Sequence, residues 1–234
     1  MFSGIPQSID RFQYWTSFIN ERSFRSVAEI GVWEGVFAKT ILDNCSTISD
    51  YYLVDPWRKM NDWNKPFNFK ENMEMVYEKA MNNLESHQSK TKVLRGKTIE
   101  VIDQIPNNSL DFAYVDGDHT LRGIAIDLMT ILPKMKTGSF IGLDDFVNPL
   151  QHGFDYELSL VDPFGLYFAE ANRFPCAILG KGQFCIHVDS SMGFSLVDFK
   201  NPDRSTPYPD IMTRLSRHKV VQLGKKEYSN LSTK

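Results

Sequence analysis

Acidic residues stand where short apolar segments of the chain end. They are Asp55, Asp116, Asp144 and Asp145, which follow segments 51–54, 110–115 and 139–143. Carboxylates are ligands for cations and acceptors for hydroxyl groups. In an open sheet of parallel strands, ligands bind beyond the carboxyl ends of the strands. If these segments are such strands, we expect the four side chains to meet at one edge of the sheet and to contact a ligand there.

A histidine accompanies the acids after the last two segments. Asp116, Asp144 and Asp145 offer hard oxygen ligands with no cysteine nearby, a set that suits Mg²⁺ or Mn²⁺ better than zinc. Such a cation can chelate two oxygens of a substrate and lower the pKa of one hydroxyl. His119 lies three residues beyond Asp116 and would accept the proton, because an ordinary histidine is neutral at pH 7. The structural alternatives are a helix cap for the Asp144 pair and a backbone hydrogen bond for His119.

Segment 29–35 contains two glycines in a context that suits a ligand without phosphate. Gly31 and Gly35 allow a tight turn and close approach of a ligand to a helix N-terminus. The segment lacks the lysine of a Walker loop and the middle glycine of a dinucleotide fingerprint, and its two glutamates would repel pyrophosphate. A ligand with an amine and a ribose fits better. Glu29 would bind the ammonium, and Asp55 would bind both ribose hydroxyls.

The elements that must position these residues alternate regularly. Strand-like and helix-like segments follow one another five times between residues 26 and 143, which predicts a doubly wound α/β sheet, mostly parallel and Rossmann-like. Residues 177–188 carry two apolar runs around Gly180-Lys181-Gly182 and predict a terminal antiparallel hairpin. A helix with Ser8 as its N-cap is expected before the sheet.

The organisation expected from these patterns has three parts. Residues 1–25 form an N-terminal helix, residues 26–190 form the ligand-binding domain, and residues 191–234 form an irregular C-terminal extension.

Composition limits the classes of function that need to be considered. With 42% hydrophobic residues in 234, the chain can bury a sizeable core. A net charge of −3 argues against a nucleic-acid partner, and no apolar run reaches the length of a membrane span. Three scattered cysteines are too few for a disulfide framework. We expect a cytoplasmic protein whose partner is a small molecule, with a homo-oligomer left open.

The glycine segment followed by an acid after the second strand resembles motif I and its successor in class I SAM-dependent methyltransferases. The resemblance covers residues 26–190, and Gly96-Lys97-Thr98 resembles the segment that cups the adenine in that superfamily. It implies S-adenosylmethionine (SAM) as cofactor and a seven-stranded sheet with the last strand antiparallel. The residues implied to bind the cofactor are Glu29, Gly31, Gly35, Asp55, Thr98 and Asp116.

The stretch 114–119 and the ending Asp144-Asp145-Phe146 resemble the metal-dependent macrocin and mycinamicin sugar O-methyltransferases, where the base is a histidine. This resemblance implies methyl transfer to a hydroxyl of a sugar or another vicinal diol. His119 would be the base, and Asp116, Asp144 and Asp145 would hold Mg²⁺ or Mn²⁺. A metal-independent small-molecule methyltransferase and a non-catalytic SAM-binding protein remain the alternatives. The chain departs from the resemblance in its short stretch before residue 26, so a substrate-capping domain of the usual kind is in doubt.

Overall fold

One eight-stranded sheet organises the computed structural model, which describes residues 1–61, 71–146 and 159–200. The strands are β1 (Ser26–Ile30), β2 (Asp50–Asp55), β3 (Thr91–Arg95), β4 (Leu110–Val115), β5 (Met135–Leu143), β6 (Pro175–Gly180), β7 (Gln183–Val188) and β8 (Ser195–Asp198). Their order across the sheet is β3-β2-β1-β4-β5-β7-β6-β8. The first five strands are parallel, and β7 runs antiparallel between β5 and β6.

One helix precedes β1, and the others lie between strands in the chain. They are α1 (Arg11–Arg22), α2 (Val36–Asn44), α3 (Met73–Asn83), α4 (Thr98–Val101), α5 (Leu121–Ile131) and α6 (Val161–Ala171). Each strand-to-helix junction falls at the carboxyl edge of the sheet, which brings the acids expected there into one region. No helix of the described ranges has both the length and the apolar character required to cross a membrane.

The fold class predicted from the sequence is confirmed, with one strand more than expected. The alternation and the terminal hairpin are both present. The eighth strand, β8, pairs in parallel with β6 and lies in the extension expected to be irregular from residue 191. The four residues of β8 are too few to show the alternating pattern by which a strand is recognised in a sequence. Pairing with β6 stabilises the strand instead. The extension beyond residue 200 lies outside the described residues.

Two helical features differ from the sequence expectations. The N-cap of α1 is Asp10 and not Ser8, because the Asp10 carboxylate accepts the backbone N–H of Gln13 at 2.8 Å. Helix α6 was not expected at all. Its first turn contains Pro163, which is compatible with a helix start because the first backbone N–H groups have no intrahelical partner.

Helix α1 is fixed to the sheet by aromatic packing. Trp15 is fully buried, and its ring centroid lies 5.1 Å from that of Phe112 and 5.8 Å from that of Tyr114, both on β4. Its indole N–H donates to the Gln183 side-chain oxygen at 2.8 Å, which sets the rotation of α1 about its axis. Arg11 lies one turn earlier on the same helix and therefore faces the carboxyl edge of the sheet.

Candidate active site

A cavity of about 700 Å³ opens at the carboxyl edge of β1, β2, β4 and β5. That volume lies in the range of small-molecule sites. The cavity sits where the strand order reverses between β1 and β4, the position at which doubly wound sheets bind ligands. Most of the residues predicted from the sequence line it: Gly31, Asp55, Thr98, Asp116, His119, Asp144 and Asp145.

Gly31 turns the chain at the floor of the cavity. Its φ of +87° favours glycine, and a Cβ there would lie 2.1 Å from the backbone oxygen of Asp116. The ends of β1 and β4 therefore approach each other more closely than any side chain would allow. Only glycine lets this turn leave room for a ligand above it.

The side chain of Asp55 binds backbone N–H groups of the glycine turn and of the loop after β2. Its Oδ2 accepts the N–H groups of Val32 and Trp33, each at 3.0 Å, and its Oδ1 accepts the N–H of Trp57 at 2.8 Å. Burial raises the pKa of Asp55, and the three N–H donors oppose that rise. Asp55 lines the cavity as predicted, and it also has a structural task that the sequence did not indicate.

Two predicted cofactor residues do not reach the cavity. Glu29 is 2% exposed and accepts the Tyr51 hydroxyl at 2.7 Å, and burial raises its pKa well above the ordinary value. It lies one position before Ile30, which does line the cavity, and successive side chains of a strand point to opposite faces. Gly35 caps α2, where a Cβ would lie 3.2 Å from the side chain of Leu84. The structure thus gives both residues a structural environment away from the described cavity.

Thr98 shares its end of the cavity with an aspartate that the sequence did not single out. The Thr98 hydroxyl donates to Asp127 Oδ1 at 2.6 Å. Asp127 lies on α5 and is 5% exposed, and burial raises its pKa to about 7. Its position inside an amphipathic helix pattern gave no signal of a cavity residue.

Another part of the cavity wall is built around His119. Its Nδ1 lies 3.0 Å from Asp145 Oδ2, and its Nε2 lies 3.4 Å from Asp116 Oδ1. The imidazole is 9% exposed and the Asp145 side chain 52% exposed. The structure thus brings His119 close to Asp116 and Asp145, as expected from their positions at the ends of neighbouring strands.

The three aspartates predicted as metal ligands do not converge on one point. Within the described ranges, no three His, Cys, Asp or Glu side chains form a group that would hold a metal ion. Asp145 lies beside His119, whereas Asp116 and Asp144 both contact the guanidinium of Arg11 through Nη1. The carboxylate oxygens that a divalent cation would need are therefore taken by an arginine, and the arrangement does not fit a resident divalent cation.

Arg11 belongs to a hydrogen-bonded network that the sequence did not reveal. Gln183 is 1% exposed, and its amide nitrogen donates to Asp144 Oδ1. The oxygen of the same amide accepts the indole of Trp15 at 2.8 Å and the hydroxyl of Tyr114 at 2.9 Å. Arg11 and Asp144 are 133 positions apart in the chain, so no local pattern could have joined them.

A family model described as a methyltransferase domain matches residues 28–146, just over half of the chain. No curated protein matches the sequence.

Solved structures match the fold at low sequence identity. An O-methyltransferase from Bacillus cereus in complex with SAH is 13% identical with a TM-score of 0.55, covering 78% of this chain and 82% of that one. An SAH-bound methyltransferase from Podospora anserina is 15% identical with a TM-score of 0.56, covering 76% and 78%. An O-methyltransferase from Streptomyces achromogenes, involved in tomaymycin synthesis and in complex with SAM, is 12% identical with a TM-score of 0.56, covering 76% and 79%.

Proposed function

The chain belongs to the methyltransferase-domain family, which confirms the enzyme class expected from its sequence, and we propose that it transfers a methyl group from SAM to a hydroxyl of a small molecule. One observation carries the proposal. A single cavity joins a glycine turn with a carboxylate after β2 to a histidine and carboxylates after β4 and β5. The first set suits a nucleoside with an amine and a carboxylate, and the second set suits removal of a proton.

The glycine-turn end of the cavity fits the cofactor. Gly31 lines the cavity and lets the ends of β1 and β4 approach closely, and Asp55 is held in place by three backbone donors. A carboxylate has about four lone-pair sites, so Asp55 retains one or more for a ribose hydroxyl. Thr98 lies at the neighbouring strand end, where the adenine is expected. Since Glu29 lies outside the cavity lining, the ammonium group is not assigned to it.

His119 is the proposed general base. In the proposed reaction the neutral imidazole carries its proton on Nδ1, beside the Asp145 carboxylate, and Nε2 accepts the proton of the acceptor hydroxyl. When bound, SAM supplies an electrophilic methyl group, whose C–S bond breaks as the C–O bond to the acceptor forms. His119 then carries the proton and releases it to solvent after the methylated product and the thioether leave.

A sugar or another vicinal diol is the proposed class of acceptor. Several carboxylates line the His119 end of the cavity, and ionised carboxylates only accept hydrogen bonds. Hydroxyl groups donate, so neighbouring hydroxyls on one small molecule match such a lining. The carboxylates that line the cavity near His119 are Asp116, Asp118 and Asp145.

The divalent cation expected from the sequence is left out of this reaction. Asp116, Asp144 and Asp145 are hard oxygen donors of the kind that Mg²⁺ prefers. Arg11 contacts two of the three, and Asp145 lies beside His119 instead. We therefore derive no step through a metal ion.

The proposal is tested by methyl transfer from SAM carrying a labelled methyl group. The purified chain is incubated with a panel of sugars and catechols, and the labelled product is identified by mass spectrometry with fragmentation to locate the methyl group. We expect a methyl ether on one oxygen of a diol-containing acceptor. Label on nitrogen or carbon, or SAM binding without transfer to any of the panel, would contradict O-methylation of this acceptor class.

A further inference from the structure

Arg11 supplies the positive charge at the point where two strand-end carboxylates meet. Its Nη1 contacts Asp144 Oδ2 and lies 3.4 Å from Asp116 Oδ2. The Asp144 side chain is 8% exposed, and a buried carboxylate requires a partner that compensates its charge. Gln183 donates to its other oxygen, so both oxygens of Asp144 are engaged.

The position of Arg11 is determined by the core and not by surface contacts. Trp15, one helical turn further along α1, is fully buried and donates to Gln183, which donates to Asp144. The same residue pair therefore anchors the helix and orients the carboxylate that Arg11 contacts. An arginine in this register reaches the strand ends without rearrangement of the helix.

Arg11 also lies next to the proposed base. The two oxygens of the Asp116 carboxylate are each 3.4 Å from a cationic or basic group, Oδ2 from Arg11 Nη1 and Oδ1 from His119 Nε2. A guanidinium has five N–H donors, and both contacts with carboxylates use Nη1 alone. Donors remain for an oxygen bound beside His119.

We propose that Arg11 occupies the position of a divalent cation in this site: its single positive charge offsets part of the charge of Asp116 and Asp144, and it stabilises the acceptor oxygen as His119 removes its proton. The role of Arg11 toward the acceptor oxygen rests on the proposed function. Its role toward Asp116 and Asp144 rests on the contacts alone. A permanent charge on a fixed side chain stabilises a developing oxyanion without recruiting a metal ion. A cation between Asp116 and Asp144 would lie against the guanidinium and be repelled by it.

The first test measures metal binding and needs no substrate. Binding of Mn²⁺ is followed by the electron paramagnetic resonance signal of free Mn²⁺ for the wild type, Arg11→Gln and Arg58→Gln. Arg58 lines the same cavity and pairs with Glu100 at 2.6 Å, so its variant removes an equal charge without touching the aspartates. We expect Arg11→Gln alone to bind Mn²⁺ at least about tenfold more tightly than the wild type. Adding Asp144→Asn to it should abolish the gain.

Two outcomes of this titration would overturn the inference. Equal Mn²⁺ affinity in the wild type and Arg11→Gln would mean that the guanidinium does not occupy the cation position. Absence of Mn²⁺ binding in a folded Arg11→Gln variant would mean that the carboxylates do not form a cation site at all. Folding is checked by circular dichroism, and Arg11→Met, which is also uncharged and keeps more of the apolar stem, replaces Arg11→Gln if the latter does not fold.

The second test follows turnover. Loss of one donor to a developing oxyanion typically costs 10²–10³ in kcat, so Arg11→Gln should lose about that much with unchanged SAM affinity, and Arg11→Lys should recover part of it. Wild-type turnover should persist in EDTA. Loss of turnover in EDTA, restored by Mg²⁺, would overturn the inference while leaving methyl transfer intact. Absence of SAM binding would instead refute the proposed function, and the Mn²⁺ result would still stand on its own.

Discussion

Replacing Asp127 by asparagine should stabilise the protein at neutral and alkaline pH but much less in acid. Asp127 is 5% exposed, and burial raises its pKa from 3.8 to about 7. Between these two values the folded state binds a proton that the unfolded state has lost. The free energy of unfolding of the wild type therefore falls as the pH rises through that window. Asparagine does not titrate, and its amide oxygen can still accept the Thr98 hydroxyl.

The size of the effect follows from the pKa change. Each unit of difference between the pKa of 3.8 and the raised pKa of about 7 changes the free energy of unfolding by about 1.36 kcal/mol. Ionisation of Asp127 therefore lowers that free energy by at most about 4 kcal/mol above pH 7. From pH 5 to pH 8, the difference in unfolding free energy between Asp127→Asn and the wild type should grow by about 2.5 kcal/mol. Titrating groups that do not interact with Asp127 affect both proteins equally and cancel in this difference.

Urea denaturation of both proteins at pH 5 and pH 8 measures the difference directly. The expected result is a rise in the midpoint of Asp127→Asn relative to the wild type at pH 8, with a smaller gap at pH 5. A gap that is the same at both pH values would show that Asp127 does not ionise in this window. A difference in midpoint that is larger at pH 5 than at pH 8 would have the opposite pH dependence. It would refute a raised pKa of Asp127 as the cause.

Three further substitutions test the cavity. Asp55→Asn removes the charge and one of the two oxygens that accept loop N–H groups, and it should weaken SAM binding at least about tenfold by titration calorimetry; unchanged affinity would remove Asp55 from the ribose site. His119→Ala should lower kcat by about 10²–10⁴-fold with unchanged SAM affinity, and a loss below about threefold with chemistry rate-limiting would exclude it as the base. Gly31→Ala should abolish SAM binding, because its Cβ would lie 2.1 Å from the Asp116 oxygen. Gly138→Ala should keep it, since Gly138 has a similar φ of +83° with nothing within 4 Å, and equal effects of the two would attribute the loss to backbone strain.

The alternation of strands with helices and the rim of the sheet could be predicted because both leave local signals. A strand that ends on an acid, such as β2 on Asp55, is visible in a few consecutive residues. The alternation of strands and helices then implies that such ends share one edge. Asp116, His119 and the Asp144 pair reached the cavity for that reason.

The orientation of single side chains was less predictable. Glu29 was assigned to the ligand from its place in the motif, but the pleat of β1 turns it to the other face, where Tyr51 binds it. Neighbouring residues of a strand point to opposite faces, so one position along β1 decides whether a side chain faces the cavity or the core. The motif alone does not determine which residue faces the cavity. Asp55 was assigned correctly to the rim, yet its hydrogen bonds to the turn became visible only in three dimensions.

Long-range contacts left no trace in the sequence. Arg11 reads as one charged residue in the first turn of an amphipathic helix, and charged residues there are ordinary. Its contact with Asp144 depends on how α1 packs across β4 and on the Gln183 network. The predicted metal site had the right residue types, but the sequence could not show that a side chain from the N-terminal helix lies among them.

Calorimetric titration of the full chain with SAM is the measurement that tests the account most directly. We expect saturable binding at a single site, competition by SAH, and the same affinity in His119→Ala as in the wild type, because His119 is proposed to contact the acceptor and not SAM. An absence of SAM binding to the folded wild type would contradict the cofactor assignment and the methyl transfer proposed here.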